Sequence, residues 1–222
     1  MTPQNDSSGF KTAQPSKSTA ILSDVTAVIL AGGQGQRMGG QDKGLVNFSG
    51  QPMVQHIIKQ IQPNVQFIMI NANRNLAQYQ SLGFPVIEDI HSGYQGPLMG
   101  MLTGLTYAQT EWVLFLPCDT PILPSQLIKR LYNAATENQA DVAVAHDGEY
   151  LQPVVALVKR TLAPSLEQWL NDGKRKIDRW FMQHRMIVVS FAEQMAYPPL
   201  MNLNTSEELQ EFELLQSKIN AC

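Results

Sequence analysis

Residues 26–44, which read TAVILAGGQGQRMGGQDKG, decide the fold of this chain. The segment begins with a short β-branched apolar run and passes directly into a turn that contains six glycines. Glycine backbone can approach a ligand without a Cβ in the way, and its successive N–H groups can point at oxyanions. Arg37 and Lys43 add positive charge within the same turn. The pattern therefore predicts a buried first strand whose exit binds phosphate, with a flexible surface turn as the alternative.

This turn matches neither of two common phosphate-binding motifs. Gly-x-Gly-x-x-Gly starting at Gly33 requires glycine at position 38, where Met38 stands, and the acidic residue expected after the second strand is replaced by Asn71. The P-loop requires Ser or Thr after its lysine, but Lys43 is followed by Gly44. The sequence therefore predicts a third kind of phosphate-binding loop.

Strand and helix patterns alternate along the chain around this turn. The predicted strands are residues 26–30, 66–70, 85–87, 112–116, 141–145, 152–158 and 187–191. The predicted helices are residues 53–61, 76–82, 98–108, about 124–138, 162–170 and 177–183, with a last helix after a capping box formed by Thr205 and Glu208. This alternation predicts an α/β fold, with a mostly parallel sheet, helices on both faces and residues 152–158 as an antiparallel neighbour. Ligands of such sheets bind beyond the carboxyl ends of the strands.

Charged residues follow several of these predicted elements. Asp119 comes after the apolar run 112–116, where a carboxylate suits Mg²⁺ beside substrate phosphates, although a turn or helix-capping role is the alternative. Asp89 follows residues 85–87 and can accept hydrogen bonds from N1–H and the 2-amino group of guanine, with a turn role equally open. The cluster 174–176 (Lys-Arg-Lys) is either a solvated helix start or a site for an anionic substrate.

Composition limits the class of protein. The 222 residues suit a single domain, and a formal charge of −3 without a basic stripe argues against a nucleic-acid partner. No apolar run approaches the length of a membrane span. The polar residues 1–24 predict a flexible extension without a secretory segment, which leaves residues 25–222 as the domain. Cys118 and Cys222 lack metal-like spacing, so we expect reduced thiols and a cytoplasmic location.

Short motifs occur in order along the chain. They are Leu30-Ala31-Gly32-Gly33, Arg37-Met38-Gly39-Gly40, Asp42-Lys43-Gly44, Asn71-Ala72-Asn73-Arg74, Gly96-Pro97-Leu98, Pro117-Cys118-Asp119-Thr120-Pro121 and Asn202-Leu203-Asn204-Thr205. Together they resemble the molybdenum cofactor guanylyltransferase family over about residues 26–209. The resemblance implies a Rossmann-like nucleotidyltransferase fold that joins GMP from GTP to molybdopterin, with Mg²⁺, and releases pyrophosphate. Sugar-1-phosphate nucleotidyltransferases are similar in the first loop, but they typically carry Pro-Lys where this chain has Asp42-Lys43.

The resemblance also implies roles for particular residues. Contacts to GTP are implied for Leu30, Ala31, Gly32, Gly33, Lys43, Asn71, Asp89 and Asp119. Within that set, Asn71 and Asp89 would lie by guanine and ribose, and Asp119 would also bind Mg²⁺. Arg175, Asn202 and Asn204 would face the molybdopterin side. Catalysis would depend on Arg37, Lys43 and the Mg²⁺ held at Asp119. One departure lies after residue 149, where the family tends to show Arg-Asp-His and this chain has Tyr150-Leu151-Gln152, so the pterin-side contacts are expected to differ.

The implied substrates are GTP and molybdopterin. Candidate partners are proteins that load molybdopterin or escort molybdoenzymes. A cytidylyltransferase for the same pterin and a sugar-1-phosphate nucleotidyltransferase are the alternative enzymes. A non-catalytic protein that binds GTP or molybdopterin is the alternative from another class, and release of pyrophosphate would distinguish it from the enzymes.

Overall fold

The computed structural model describes residues 21–33, 41–92, 96–192 and 199–220. The strands are β1 (Leu22–Leu30), β2 (Asn47–Phe48), β3 (Gln51–Pro52), β4 (Val65–Asn71), β5 (Val86–Ile87), β6 (Trp112–Pro117), β7 (Val142–His146), β8 (Leu151–Lys159) and β9 (Met186–Ser190). The helices are α1 (Met53–Ile61), α2 (Leu76–Gln80), α3 (Pro97–Tyr107), α4 (Leu127–Glu137), α5 (Ala163–Asn171), α6 (Ile177–Phe181) and α7 (Ser206–Asn220). Within these ranges, no helix is both long enough and apolar enough to cross a bilayer.

Seven strands form one sheet in the order β5-β4-β1-β6-β8-β7-β9. β1 lies between β4 and β6 and pairs with both in parallel. β4 and β5 are also parallel, as are β7 and β9, whereas β8 runs antiparallel to both of its neighbours. The predicted mostly parallel sheet, with residues 152–158 in an antiparallel strand, is therefore confirmed.

Helices cover both faces of the sheet. On one face α1 and α4 bury apolar side chains at helical spacing, of which Ile57 and Leu131 are fully buried. On the other face α3, α5 and α6 pack together, and Trp180 is fully buried there. Each buried side chain of this size contributes about 1.5–3 kcal/mol to stability. The two apolar layers therefore lie on opposite faces of the sheet.

The first strand starts earlier than the sequence pattern indicates. β1 begins at Leu22, which pairs with Val65 of β4, although the apolar run starts at Thr26. The polar side chain of Asp24 is accommodated because it accepts a hydrogen bond from the hydroxyl of Tyr132 at 2.6 Å. The predicted extension therefore overlaps the strand by three residues, and residues 1–20 lie outside those described.

A short hairpin that the sequence analysis did not predict follows the glycine-rich turn. β2 and β3 pair in antiparallel fashion around Ser49 and Gly50, both of which have positive φ, as a two-residue hairpin loop of type I′ requires. Phe48 of this hairpin packs with Leu203 and Phe212 in a small third core cluster. The hairpin thereby docks the C-terminal segment of the chain beside the sheet.

Candidate active site

Three parallel strands bring the predicted site residues to one edge of the sheet. Leu30 at the end of β1 pairs with Asn71 on one side and with Pro117 on the other. Past the strand ends, the backbone N–H of Ala31 donates to the carbonyl of Asn71 at 2.8 Å. The N–H of Cys118 donates to the carbonyl of Leu30 at 3.1 Å. The start of the glycine-rich turn thus lies between Asn71 and the segment that carries Asp119.

The first two glycines of the turn have different surroundings. A Cβ on Gly32 would lie 2.7 Å from Nδ2 of Asn73, so Gly32 allows the turn to approach the end of β4. Gly33 is exposed, and a Cβ built on it would meet no heavy atom within 4 Å. Residues 34–40 lie outside the described residues, so the catalytic role of Arg37 stays a prediction.

Lys43, Asp119 and Asn204 form a compact group, which we call the ion-pair cluster. Lys43 begins a single 3₁₀ turn, and its Nζ donates to Oδ2 of Asp119 at 2.9 Å and to Oδ1 of Asn204 at 2.5 Å. The side chains of Lys43 and Asp119 are 20% and 16% exposed, so solvent screens this ion pair only in part. Lys43 and Asp119, both of which were predicted to contact GTP, therefore lie next to each other. The cluster joins three distant parts of the chain.

The first turn of α7 positions Asn204. Oε2 of Glu208 accepts the backbone N–H of Asn204 at 2.6 Å and that of Thr205 at 3.1 Å. In return, the N–H of Glu208 donates to Oγ1 of Thr205 at 3.1 Å, so the predicted capping box is confirmed. One residue earlier, the N–H of Leu203 donates to the carbonyl of Asp119 at 2.8 Å. The segment before α7 is therefore fixed at both ends.

The residues predicted for the molybdopterin side lie in two places. Asn202 accepts a hydrogen bond from Oγ1 of Thr120 at 2.6 Å, and Asn204 belongs to the ion-pair cluster. Arg175 instead donates to the carbonyl of Leu170 at 2.8 Å, at the end of α5, where unsatisfied carbonyls attract a cation. The structure thus brings the two asparagines to the cluster and gives Arg175 a contact that caps a helix.

One carboxylate oxygen of Asp119 lacks a hydrogen-bond partner among the described residues. Oδ1 is buried and has no hydrogen-bond partner among the residues that the structure describes. Buried polar atoms nearly always have a partner. A carboxylate oxygen of this kind is a hard ligand, and Mg²⁺ is commonly bound by one or two carboxylates together with phosphates and water. Oδ1 of Asp119 can therefore supply one ligand to a magnesium ion, although no group of three or more His, Cys, Asp and Glu side chains among the described residues could hold a metal by itself.

Asn71, Asn73 and Asp89 form a hydrogen-bonded group beside the ends of β4 and β5. Asp89 accepts from Nδ2 of Asn71 at 2.9 Å through one oxygen and from Nδ2 of Asn73 at 2.8 Å through the other. Oδ1 of Asn73 accepts the backbone N–H of Asp89 at 2.9 Å. A carboxylate has about four lone-pair positions, so Asp89 can still accept from a bound base. The predicted pair Asn71 and Asp89 is brought together.

Asn73 and the buried pair of Asp42 and Tyr79 lie beside the site but were not predicted from the sequence. Asn73 lies two residues after Asn71, and this spacing places side chains on the same side of extended backbone. The sequence could therefore have indicated that Asn73 lies beside Asn71. The hydroxyl of Tyr79 donates to Oδ1 of Asp42 at 2.5 Å across 37 residues, and no local pattern indicates that contact.

Burial, followed by the charge of Asp119, raises the pKa of the Cys118 thiol, so this thiol beside the site stays protonated at neutral pH.

Known proteins share this sequence pattern and fold. Residues 27–213 match the family model of the MobA-like NTP transferase domain. The chain is 51% identical over 187 residues to a protein of Shewanella frigidimarina named molybdenum cofactor guanylyltransferase, covering 84% of this chain and 94% of the relative. The solved structure of molybdopterin-guanine dinucleotide biosynthesis protein A from Archaeoglobus fulgidus has a similar fold, with a TM-score of 0.71 and 21% identity over 87% of this chain and 99% of that one. A similar fold also occurs in 4-diphosphocytidyl-2C-methyl-D-erythritol synthase from Anaerococcus prevotii, with a TM-score of 0.65 and 14% identity over 88% of this chain and 99% of that one. The chain belongs to the MobA-like NTP transferase domain family.

Proposed function

We propose that the chain is a molybdenum cofactor guanylyltransferase, which transfers GMP from GTP to molybdopterin and releases pyrophosphate. The observation that carries this proposal is the ion-pair cluster, a lysine and a carboxylate held beside the exit of the glycine-rich turn. The relative that is 51% identical is named molybdenum cofactor guanylyltransferase, and this supports the choice of nucleotide and acceptor.

The order of the strands suggests how the base and the phosphates of the nucleotide are arranged along the edge of the sheet. The group of Asn71, Asn73 and Asp89 lies at β4 and β5, the glycine-rich turn leaves β1, and Asp119 follows β6. Neighbouring strands are about 4.8 Å apart, so β4 and β6 are separated by about 10 Å, a distance that ribose and phosphates can span. We therefore infer that guanine lies on the β4 side, the phosphates lie over β1 and the acceptor approaches from the β6 side.

The reaction is an in-line displacement at the α-phosphorus of GTP. An oxygen of the molybdopterin phosphate forms the new P–O bond, and the bond from the α-phosphorus to the bridging oxygen breaks, with its electron pair leaving on pyrophosphate. Lys43 would stabilise the charge on the phosphates, and Arg37 is proposed to assist from the same turn. No covalent enzyme intermediate is required.

Asp119 would hold the magnesium ion through Oδ1 and contact the phosphates through that ion. Mg²⁺, when bound there, supplies charge neutralisation on the triphosphate. Oδ2 of Asp119 accepts a hydrogen bond from Lys43, so the lysine is held close to where the phosphates would lie. Asn204 accepts a second hydrogen bond from Lys43, so the lysine has two partners that hold it there.

Pyrophosphate release is the decisive test of this proposal. Purified protein with Mg²⁺ and molybdopterin should release pyrophosphate with GTP and much more slowly with CTP or UTP. GTP should also raise the melting temperature, because a ligand at 100 times its Kd stabilises the native state by about 2.7 kcal/mol. Faster release with CTP would show a cytidylyltransferase, and release that requires a sugar 1-phosphate would show a sugar-nucleotide synthase. Stabilisation by GTP without release of pyrophosphate would show a binding protein.

The role of Asp119 can be tested by Asp119→Asn. The amide oxygen can still accept from Lys43, but the charge that attracts Mg²⁺ is lost, so we expect turnover to fall on the order of 100-fold and to need more Mg²⁺. Asp172→Asn is a control, because Asp172 pairs with Lys174 at the end of α5. Equal activity of the two variants at limiting Mg²⁺ would contradict the metal role of Asp119.

A further inference from the structure

The residue before Lys43 is a buried carboxylate with several partners. Asp42 is 8% exposed, and its Oδ1 accepts from the hydroxyl of Tyr79 at 2.5 Å. Its Oδ2 accepts from Nδ2 of Asn75 at 3.0 Å and lies 3.6 Å from Nε of Arg74. A carboxylate that is buried and bonded in this way has little freedom to move, so the backbone on the N-terminal side of Lys43 is fixed.

The residue after Lys43 is fixed by the same tyrosine. A Cβ on Gly44 would lie 2.5 Å from the hydroxyl oxygen of Tyr79 and 3.2 Å from Cβ of Cys118. Gly44 is therefore packed between Tyr79 and the residue that precedes Asp119. Tyr79 is fully buried, so its ring cannot shift without disturbing the core. Both neighbours of Lys43 are thus held by one side chain.

The hydroxyl of Tyr79 stays protonated, so it can act only as a donor to the Asp42 carboxylate. Burial, followed by the nearby Cys118 and the bond to Asp42, raises the pKa of Tyr79 far above its ordinary value. The hydroxyl therefore keeps its proton over the whole physiological pH range. Tyr79 lies in α2, the first helix after Asn71 and Asn73 along the chain.

We propose that Tyr79 is a positioning residue for the transfer reaction, whose hydroxyl acts through Asp42 and Gly44 to hold Lys43 where its ammonium group meets the phosphates. This inference rests on the proposed function, since it assigns a purpose to the geometry of Lys43. Tyr79 is not a catalytic residue, because it is fully buried and its hydroxyl contacts Asp42 and Gly44.

Tyr79→Phe and Tyr132→Phe form a matched pair of variants. Each removes one hydroxyl that donates to an aspartate, at 2.5 Å to Asp42 and at 2.6 Å to Asp24. Asp24 lies six residues before Leu30 on β1, so the control contact is about 20 Å from the site edge. We expect Tyr79→Phe to lower kcat about tenfold with KM for GTP changed less than about twofold, because misplaced charge weakens the transition state most. Tyr132→Phe should retain the wild-type kcat.

Both variants should fold. Tyr79→Phe leaves Asp42 its hydrogen bond from Nδ2 of Asn75 at 3.0 Å, and Asp42 lines an open surface pocket, so its carboxylate is not left without a polar partner. Asn75→Gly is a second variant that removes the donor to Oδ2 and tolerates the positive φ of 51° at this position. It should also lower kcat, by a few-fold, and its melting temperature reports separately on folding.

A double-mutant cycle separates positioning from a general structural role. If Tyr79 acts through Lys43, then Tyr79→Phe should have no further effect on kcat in a Lys43→Ala background. Multiplication of the two losses, or a wild-type kcat in Tyr79→Phe, would overturn the inference while leaving the wild-type enzyme active. Failure of the proposed function looks different, because the wild-type chain itself would then release no pyrophosphate with GTP and molybdopterin.

Discussion

Replacing Lys43 by alanine tests the cluster on which the proposed reaction depends. In the wild-type chain Nζ of Lys43 lies 2.9 Å from Oδ2 of Asp119, with side chains 20% and 16% exposed. Oδ1 of Asp119 is already without a partner among the described residues, so Lys43→Ala leaves a part-buried carboxylate that lacks its donor. We expect the free energy of unfolding to fall by about 1–3 kcal/mol. At about 2–4 °C per kcal/mol for a domain of this size, the melting temperature should fall by about 2–12 °C.

The loss of activity should be much larger than the loss of stability suggests. A positioned charge that stabilises the transition state is worth about 10²–10³ in rate, so kcat/KM for GTP should fall by that factor. The assay is steady-state release of pyrophosphate at saturating Mg²⁺ and molybdopterin with GTP varied, below the melting temperature of the variant. Without nucleotide, Mg²⁺ should raise the melting temperature of Lys43→Ala more than that of the wild type, because Asp119 no longer has a competing cation.

Lys159→Ala is the matched control for this experiment. Lys159 forms a part-buried pair with Asp141 at 3.3 Å, with side chains 24% and 18% exposed, beside the first residue of β6 and away from the site edge. It should lose stability but keep kcat/KM within about twofold of the wild type. The reasoning is refuted if Lys43→Ala keeps kcat/KM within about threefold of the wild type, or if Lys159→Ala loses as much activity.

Two further substitutions test the base side of the site and a distant ion pair. Gly32→Ala places a methyl group 2.7 Å from Nδ2 of Asn73, so it should disturb the hydrogen bond from Asn73 to Asp89. We therefore expect KM for GTP to rise about tenfold, and an unchanged KM would contradict this. Asp141→Asn tests pH dependence, because hydrogen bonds from Arg185 foremost lower the pKa of Asp141 to about 2 from 3.8. A carboxyl whose pKa is lower in the folded state stabilises the protein above its unfolded pKa and loses this effect as pH falls through the folded pKa. The stability difference from the wild type, about 1–2 kcal/mol near neutral pH, should therefore shrink from about pH 4 to about pH 2 in urea titrations, whereas a constant difference would contradict it.

The edge of the sheet could be predicted from the sequence because it follows from strand direction alone. The apolar runs before Leu30, Asn71 and Asp119 are long enough to indicate strands, and the carboxyl ends of parallel strands meet at one edge. The capping box of Thr205 and Glu208 was equally accessible, since its two partners are three residues apart.

Other parts of the site depend on packing that no local pattern encodes. The contact of Lys43 with Asn204 spans 161 residues and requires the C-terminal segment to dock against the β2–β3 hairpin. The sequence left the cations 174–176 with two interpretations. The end of α5 shows where Arg175 points, because Gly173, with a φ of 76°, turns the chain so that the guanidinium reaches the carbonyls of the helix.

The great separation of Lys43 and Asn204 along the chain has a consequence for biosynthesis. Every strand of the sheet leaves the ribosome before Asn204 does, so a nascent chain can form the sheet while Lys43 still lacks its amide partner. We expect full affinity for the nucleotide to be acquired only when the α7 segment has been synthesised and docked. A chain truncated after residue 198 would lack Asn204, and we expect it to bind the nucleotide more weakly than the full chain.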